Sequence, residues 1–159
     1  MKFAYNQLLC LLLILTAGCS SYHRTWKAGA QISTDDPVAG RWQGRWESNA
    51  NGHTGKLRAV IRPTGDDAYV AHYWASYRKV LRFTYDQPFT VQTRETRADG
   101  KKIVAFSGKT DLGPLAGGVY TYEGRAEADD FHATYRCRWD HGTYDMRRLR
   151  PGIGATSSE

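Results

Sequence analysis

Long hydrophobic runs are missing from this sequence. No apolar stretch reaches the ~18 residues that a membrane-spanning helix needs. Cysteine is scarce, with 3 in 159 residues, too few for a small domain stapled by disulfides. Acidic side chains are outnumbered, 16 against 22 Lys and Arg. No nucleic-acid-binding motif is present, and no two of the His and Asp side chains in the turns share a metal-ligand spacing. Aromatics, by contrast, make up 13% of the chain and charged residues an ordinary 24%, which excludes an intrinsically disordered protein. The length suits one domain with one core.

The N-terminus carries a targeting segment. Lys2 precedes an apolar run from Leu8 to Ala17, the plan of a secretory signal peptide. The run ends in Leu15-Thr16-Ala17-Gly18-Cys19, followed by Ser20 and Ser21. Small residues before a cysteine at this point resemble the bacterial lipobox. That resemblance implies cleavage before Cys19, a diacylglyceryl group on its thiol, and a mature chain tethered in the bacterial cell envelope. Ser20 after the lipidated cysteine resembles the outer-membrane sorting pattern, with the domain facing the periplasm. Cleavage removes Lys2 and Cys10, so the formal charge falls from +6 to +5 and Cys137 remains as the only free thiol of the domain. The expected organisation is a signal peptide over 1–18, a lipidated tether over 19–39, a β-domain over 40–149 and a frayed tail over 150–159. Within the tether, Trp26 and Ile32 are candidates for docking on the domain.

From Gly40 onward the pattern has period two, which predicts half-buried strands. Trp42 and Trp46 alternate with Arg41, Gln43, Arg45 and Glu47. Asn49-Ala50-Asn51-Gly52 reads as a turn, and Leu57, Ala59 and Ile61 share the next inward face. From Tyr69 to Tyr85 a single parity holds without Gly or Pro. A two-residue hairpin would switch it, so 68–85 reads as one long strand, with a helix over 72–81 as the alternative. Asp86-Gln87-Pro88 then reads as a turn into Phe89–Arg97. Strands over Lys102–Lys109, 119–126, 130–139 and 143–149 follow, with an apolar loop over 111–118. Eight evenly spaced strands predict an all-β, eight-stranded antiparallel up-and-down β-barrel, with a two-sheet β-sandwich as the alternative.

Gly40-x-Trp42 opens the first strand, and Arg148 lies in the last with the inward parity of Tyr144 and Met146. The arrangement resembles the calycin group of lipocalins, avidins and fatty-acid-binding proteins. The resemblance implies that Trp42 packs beneath Arg148 and closes the barrel floor, a cation stacked on an indole. It also implies an interior able to hold one small ligand.

Inward parity nominates Tyr69, Tyr73, Phe83, Tyr135 and Trp139 as cavity-lining residues, an apolar wall with phenol anchors. The same faces could equally form a filled core. One barrel end gathers Asn51, His53, Asp86, Asp111, Asp140 and His141, of which His53, Asp140 and His141 are the rim candidates. Turn chemistry explains these residues as well as an acid–base site does. No catalytic residue, metal or cofactor is assigned, and the chain is expected not to be an enzyme. The outward parity carries Arg58, Arg62, Arg82, Arg94, Arg136, Arg138 and Arg147, a basic surface suited to anionic envelope components and, in an exported protein, not to nucleic acid. The expected function is binding of a small apolar or amphiphilic ligand by an anchored barrel. The alternative is a non-catalytic envelope interaction or assembly component with a filled barrel. Replacing Cys19 by Ser should release the chain from membranes, as read by fractionation; a variant that stays membrane-bound contradicts the lipoprotein reading.

Overall fold

Strands with one apolar and one polar face bury the apolar face and lose their sticky edges by closing into a cylinder. A computed structural model, which describes residues 21–33, 35–77, 81–114 and 117–150, shows this closure. The strands are β1 (Gly40–Ser48), β2 (Thr54–Pro63), β3 (Ala68–Tyr77), β4 (Leu81–Thr96), β5 (Lys102–Asp111), β6 (Val119–Glu127), β7 (Asp130–Arg136) and β8 (His141–Leu149). They form a closed barrel in which each strand pairs with its sequence neighbours and β1 pairs with β8. The topology is antiparallel and up-and-down, and the sandwich alternative is excluded. The expected signal peptide and Cys19 lie outside the described residues, as does the tail beyond Arg150.

The strand count matches the expectation, but the boundary between the third and fourth strands moves. Residues 68–85 are not one strand: Tyr77 pairs with Leu81, so β3 and β4 form a hairpin. Three residues, not two, separate that pair, and an odd connection preserves parity. The unbroken alternation across 69–85 is therefore what this hairpin leaves in the sequence. Asp86-Gln87-Pro88 is no turn; it lies within β4, with Pro88 opposite Val70. Pro88 sits where β4 changes neighbours. Residues 81–90 pair with β3, whereas pairing with β5 begins only at Phe89. A proline, which has no N–H to give, fits at that boundary. Among the described residues the rim half of β4 has no pairing partner on its β5 side, and Leu81 and Phe83 are exposed there although their parity is inward.

The interior divides into two halves. At the floor, Trp42, Phe131, Phe106, Phe89 and Tyr69 form a continuous file of rings, with successive centroids 5.4, 4.9, 4.8 and 5.5 Å apart. Trp42 is fully buried, and burial of a side chain this size contributes about 3 kcal/mol. Gly124 makes the file possible, because a Cβ there would lie 2.7 Å from the Phe106 ring. Arg148 is stacked over Trp42, its guanidinium carbon 4.3 Å from the ring centroid. It donates to the carbonyls of Asp36, Pro37 and Ala39, and the Trp42 indole N–H donates to Val38 O at 2.9 Å. The 35–39 segment is thereby drawn across the floor.

The expected tether is in part a packed element. Residues 21–28 are helical and run into a 3₁₀ turn at Gly29–Gln31. Gly29 lies against Val60 and Arg41, while Tyr22, buried, stacks on His72 with centroids 5.4 Å apart. Trp26 lies under the guanidinium groups of both Arg41 and Arg58, each 5.3 Å from its ring. The helix thus crosses the outer wall from β1 to β3, and Arg58 belongs to this contact rather than to a free basic surface. Arg94 is also redirected. A bulge between Val91 and Thr93 shifts the register, and Arg94 bonds Asp67 and the Tyr69 hydroxyl at the floor.

Candidate functional site

Above the filled floor half the rings change from phenylalanine to tyrosine, and space opens. A cavity of about 190 Å³ lies at the rim end, the end that holds the β1–β2, β3–β4, β5–β6 and β7–β8 connections. Liquid water occupies about 30 Å³ per molecule, so this is room for about six waters, and an apolar cavity of about 150 Å³ admits benzene. Trp46, Ala75, Phe83 and Leu112 give it apolar walls, and Tyr77, Tyr85, Tyr120, Tyr135 and Tyr144 supply phenols. Asp140 is the one charged residue among the described residues of the lining. The lining includes Phe83 and Tyr85 of β4 and Leu112 and Tyr120 across the stretch where β4 and β5 are unpaired.

The phenols form a stacked, hydrogen-bonded layer. Tyr73 stacks on Tyr85 at 5.2 Å and contacts Tyr144 at 5.5 Å; Tyr144 stacks on Tyr135 at 5.0 Å. The Tyr85 hydroxyl donates to that of Tyr144 at 3.3 Å. Beneath them Gln87 is buried; its amide faces the Tyr144 hydroxyl, yet its Nε2 has no hydrogen-bond partner among the described residues. Burial first, then neighbouring phenols, raises the pKa of Tyr73 and Tyr85 well above 10.0. Tyr144 is pushed up to about 12, again chiefly by burial.

Asp140 is held firmly at the mouth. Its Oδ1 accepts from Ser48 Oγ at 2.5 Å and from the His141 amide at 2.8 Å, and its Oδ2 accepts from the Tyr135 hydroxyl at 3.1 Å. Tyr135 is raised by burial first and by this carboxylate second.

Of the nominated cavity residues, Tyr135 and Phe83 line the space, Phe83 at its exposed mouth. Tyr73 is buried in the phenol layer but is not part of the lining. Tyr69 belongs to the floor, where its hydroxyl donates to Asp36 at 2.9 Å. Trp139 is a correction: β7 ends at Arg136, and the connection to β8 turns Trp139 outward to 60% exposure. Cys137 falls in the same connection and is half-buried rather than core. Trp46, Ala75, Tyr85, Tyr120 and Tyr144 were not nominated as cavity residues; Tyr85 and Tyr144 carried the inward parity that would have found them.

The two rim histidines have different side-chain surroundings. His53 Nδ1 is 2.9 Å from the Tyr77 hydroxyl, whereas His141 lines an outer groove with Thr134 and Arg136. Asn51 Oδ1 accepts from the His53 amide and Asp111 Oδ1 from the Gly113 amide, both ordinary turn bonds. Asp86 is not at the rim at all; it pairs with His72 on the outer wall. Among the described residues, no three His, Cys, Asp or Glu side chains gather as a metal site. The outer groove is larger, about 780 Å³, and as open as the rim cavity, but it is lined mainly by polar side chains of β4 to β7. The rim cavity better fits a binding site, being concave and apolar with few polar groups. Compared with known proteins, the chain matches no family model and no curated sequence.

The raised phenols fix a pH dependence. An unfolded tyrosine ionises near 10.0, and Tyr144 when folded near about 12, so the neutral phenol is favoured by folding. Their contribution to stability is complete below pH 10 and is lost as pH rises through about 12. Alkaline titration followed by tyrosinate absorbance should show Tyr73, Tyr85 and Tyr144 silent until the barrel unfolds. All ten tyrosines ionising together in the intact barrel would contradict the buried layer.

Proposed function

We propose that this protein is an exported lipoprotein, held by a diacylglyceryl group on Cys19 at the periplasmic face of the outer membrane, whose barrel binds the apolar part of a small amphiphile. The observation that carries the binding role is the rim cavity: a barrel needing only stability would fill both halves as it fills the floor. Its volume, about 190 Å³, is below the ~300–1,000 Å³ of drug-sized sites, so the bound part is a short alkyl segment or one ring. The lipobox-like segment ending at Cys19 supports the anchor. The stacked Trp42 and Arg148 support the calycin likeness, and with it a ligand entering at the end opposite the floor.

The exposed side chains of Leu81, Phe83, Val119 and Trp139 all belong to the rim end. They favour supply of the ligand from an apolar phase, and equally favour the second reading, an envelope component that docks its rim on a partner. Filling the cavity separates the two. Ala75→Phe projects a ring into the space. The expected result is that a naphthylamine fluorophore displaceable by octan-1-ol binds the unchanged chain and binds the variant about tenfold or more weaker, with the thermal midpoint little changed. Equal binding by the variant would overturn the cavity as the site.

A further inference from the structure

The charge distribution of the cavity, more than its shape, selects the ligand's polar end. Resting on the amphiphile reading above, we infer that this end is a hydrogen-bond donor, an ammonium or an alcohol and not a carboxylate, and that Asp140 reads it. Among the described residues no Lys, Arg or His is in the lining, and the charged residue there is Asp140.

A carboxylate offers about four acceptor positions on its two oxygens. Asp140 Oδ1 uses two, for Ser48 Oγ and the His141 amide, while among the described residues Oδ2 receives the Tyr135 hydroxyl alone. One acceptor position on Oδ2 is therefore left beside the phenol layer. An ammonium placed there gains a charge-assisted hydrogen bond, and an alcohol gains a neutral one. A carboxylate placed there faces the Asp140 carboxyl group with no cation among the described lining residues, and partial burial strengthens any repulsion between like charges.

The surrounding phenols do not reverse the preference. Asp140 itself contributes to raising Tyr120, Tyr135 and Tyr144, after burial in each case, so these groups stay neutral in a negative local field. Ser48, which orients the carboxylate, is itself 1% exposed. The acceptor is thus built into the barrel wall and is not a mobile surface group. The sequence placed Asp140 among turn residues and gave no sign that it faces inward. Its direction comes from the Ser48 and Tyr135 hydroxyls, supplied by β1 and β7.

Three eight-carbon probes with different ends test this. Octylamine, octan-1-ol and octanoate are competed against the naphthylamine fluorophore at pH 7, using the mature chain with Cys19→Ser so that no detergent competes. The expected order is amine, then alcohol, then carboxylate, with amine and carboxylate separated by about tenfold or more. In Asp140→Asn, which keeps the side-chain shape, that separation should collapse. Octanoate binding as tightly as octylamine to the unsubstituted Asp140 chain would overturn the inference, whether or not the variant folds. An undiminished separation in a folded Asp140→Asn would overturn the role of Asp140. Displacement by none of the three would overturn the amphiphile reading itself, and this inference with it.

Discussion

The barrel depends on one buried cation. Arg148 is placed inside, against the ring of Trp42, where loss of water costs an ion several kcal/mol unless its donors are met. Burial lowers its pKa, and the carboxylates of Asp129 and Asp36 oppose that shift. The cost is offset by backbone: the guanidinium donates to the carbonyls of Asp36, Pro37 and Ala39. Those carbonyls are available only because the 35–39 segment crosses the floor. Asp36 fixes it there by accepting the Val38 and Ala39 amides at 2.7 and 2.8 Å. Burial alone would raise the Asp36 carboxyl; these amides, Tyr69 and Arg94 outweigh it and hold the pKa below the ordinary value. Cation, indole and floor segment therefore form one unit, and with that end sealed, the free space lies at the rim.

The division between the two halves follows from residue chemistry. Phenylalanine and tryptophan rings pack against one another in the floor with few polar atoms to satisfy, so that half is occupied by stacked rings. Tyrosine brings a hydroxyl that must find a partner when buried. In the rim half the hydroxyls find one another, as Tyr85 and Tyr144 do, or find Asp140 and His53. Such bonds fix ring positions without filling the volume between them. The partial pairing of β4, interrupted at Pro88, opens the wall beside the same space. A filled base and a hollow, phenol-lined mouth are thus two results of one sequence gradient along the barrel axis.

Strand number and architecture were legible because period two transmits them directly, and parity also put Arg148 on the inner face. The β3–β4 boundary was not legible. Parity reports which face a residue occupies and is blind to an odd-numbered turn, while Asp86-Gln87-Pro88 has turn composition but marks a change of strand neighbours. Trp139 illustrates another limit, since parity has meaning only while the strand lasts and β7 stops at Arg136. The wall helix was hidden for a different reason. Its turns are held by Tyr22 and Trp26 against His72, Arg41 and Arg58, contacts distant in sequence, in a segment whose composition suits a linker. Asp140 was legible as a residue of note, but its role as the charge of the cavity required the fold.

Under the proposed function a molecule enters the rim half and leaves the floor half untouched. Ring-resolved NMR of the mature chain during titration with octan-1-ol tests it most directly. The expected shifts gather at Ala75, Tyr85 and Tyr144, with the Trp42 indole and the Phe131 ring unmoved. Shifts centred on Trp42 and Phe131, or none at any interior ring, would contradict it.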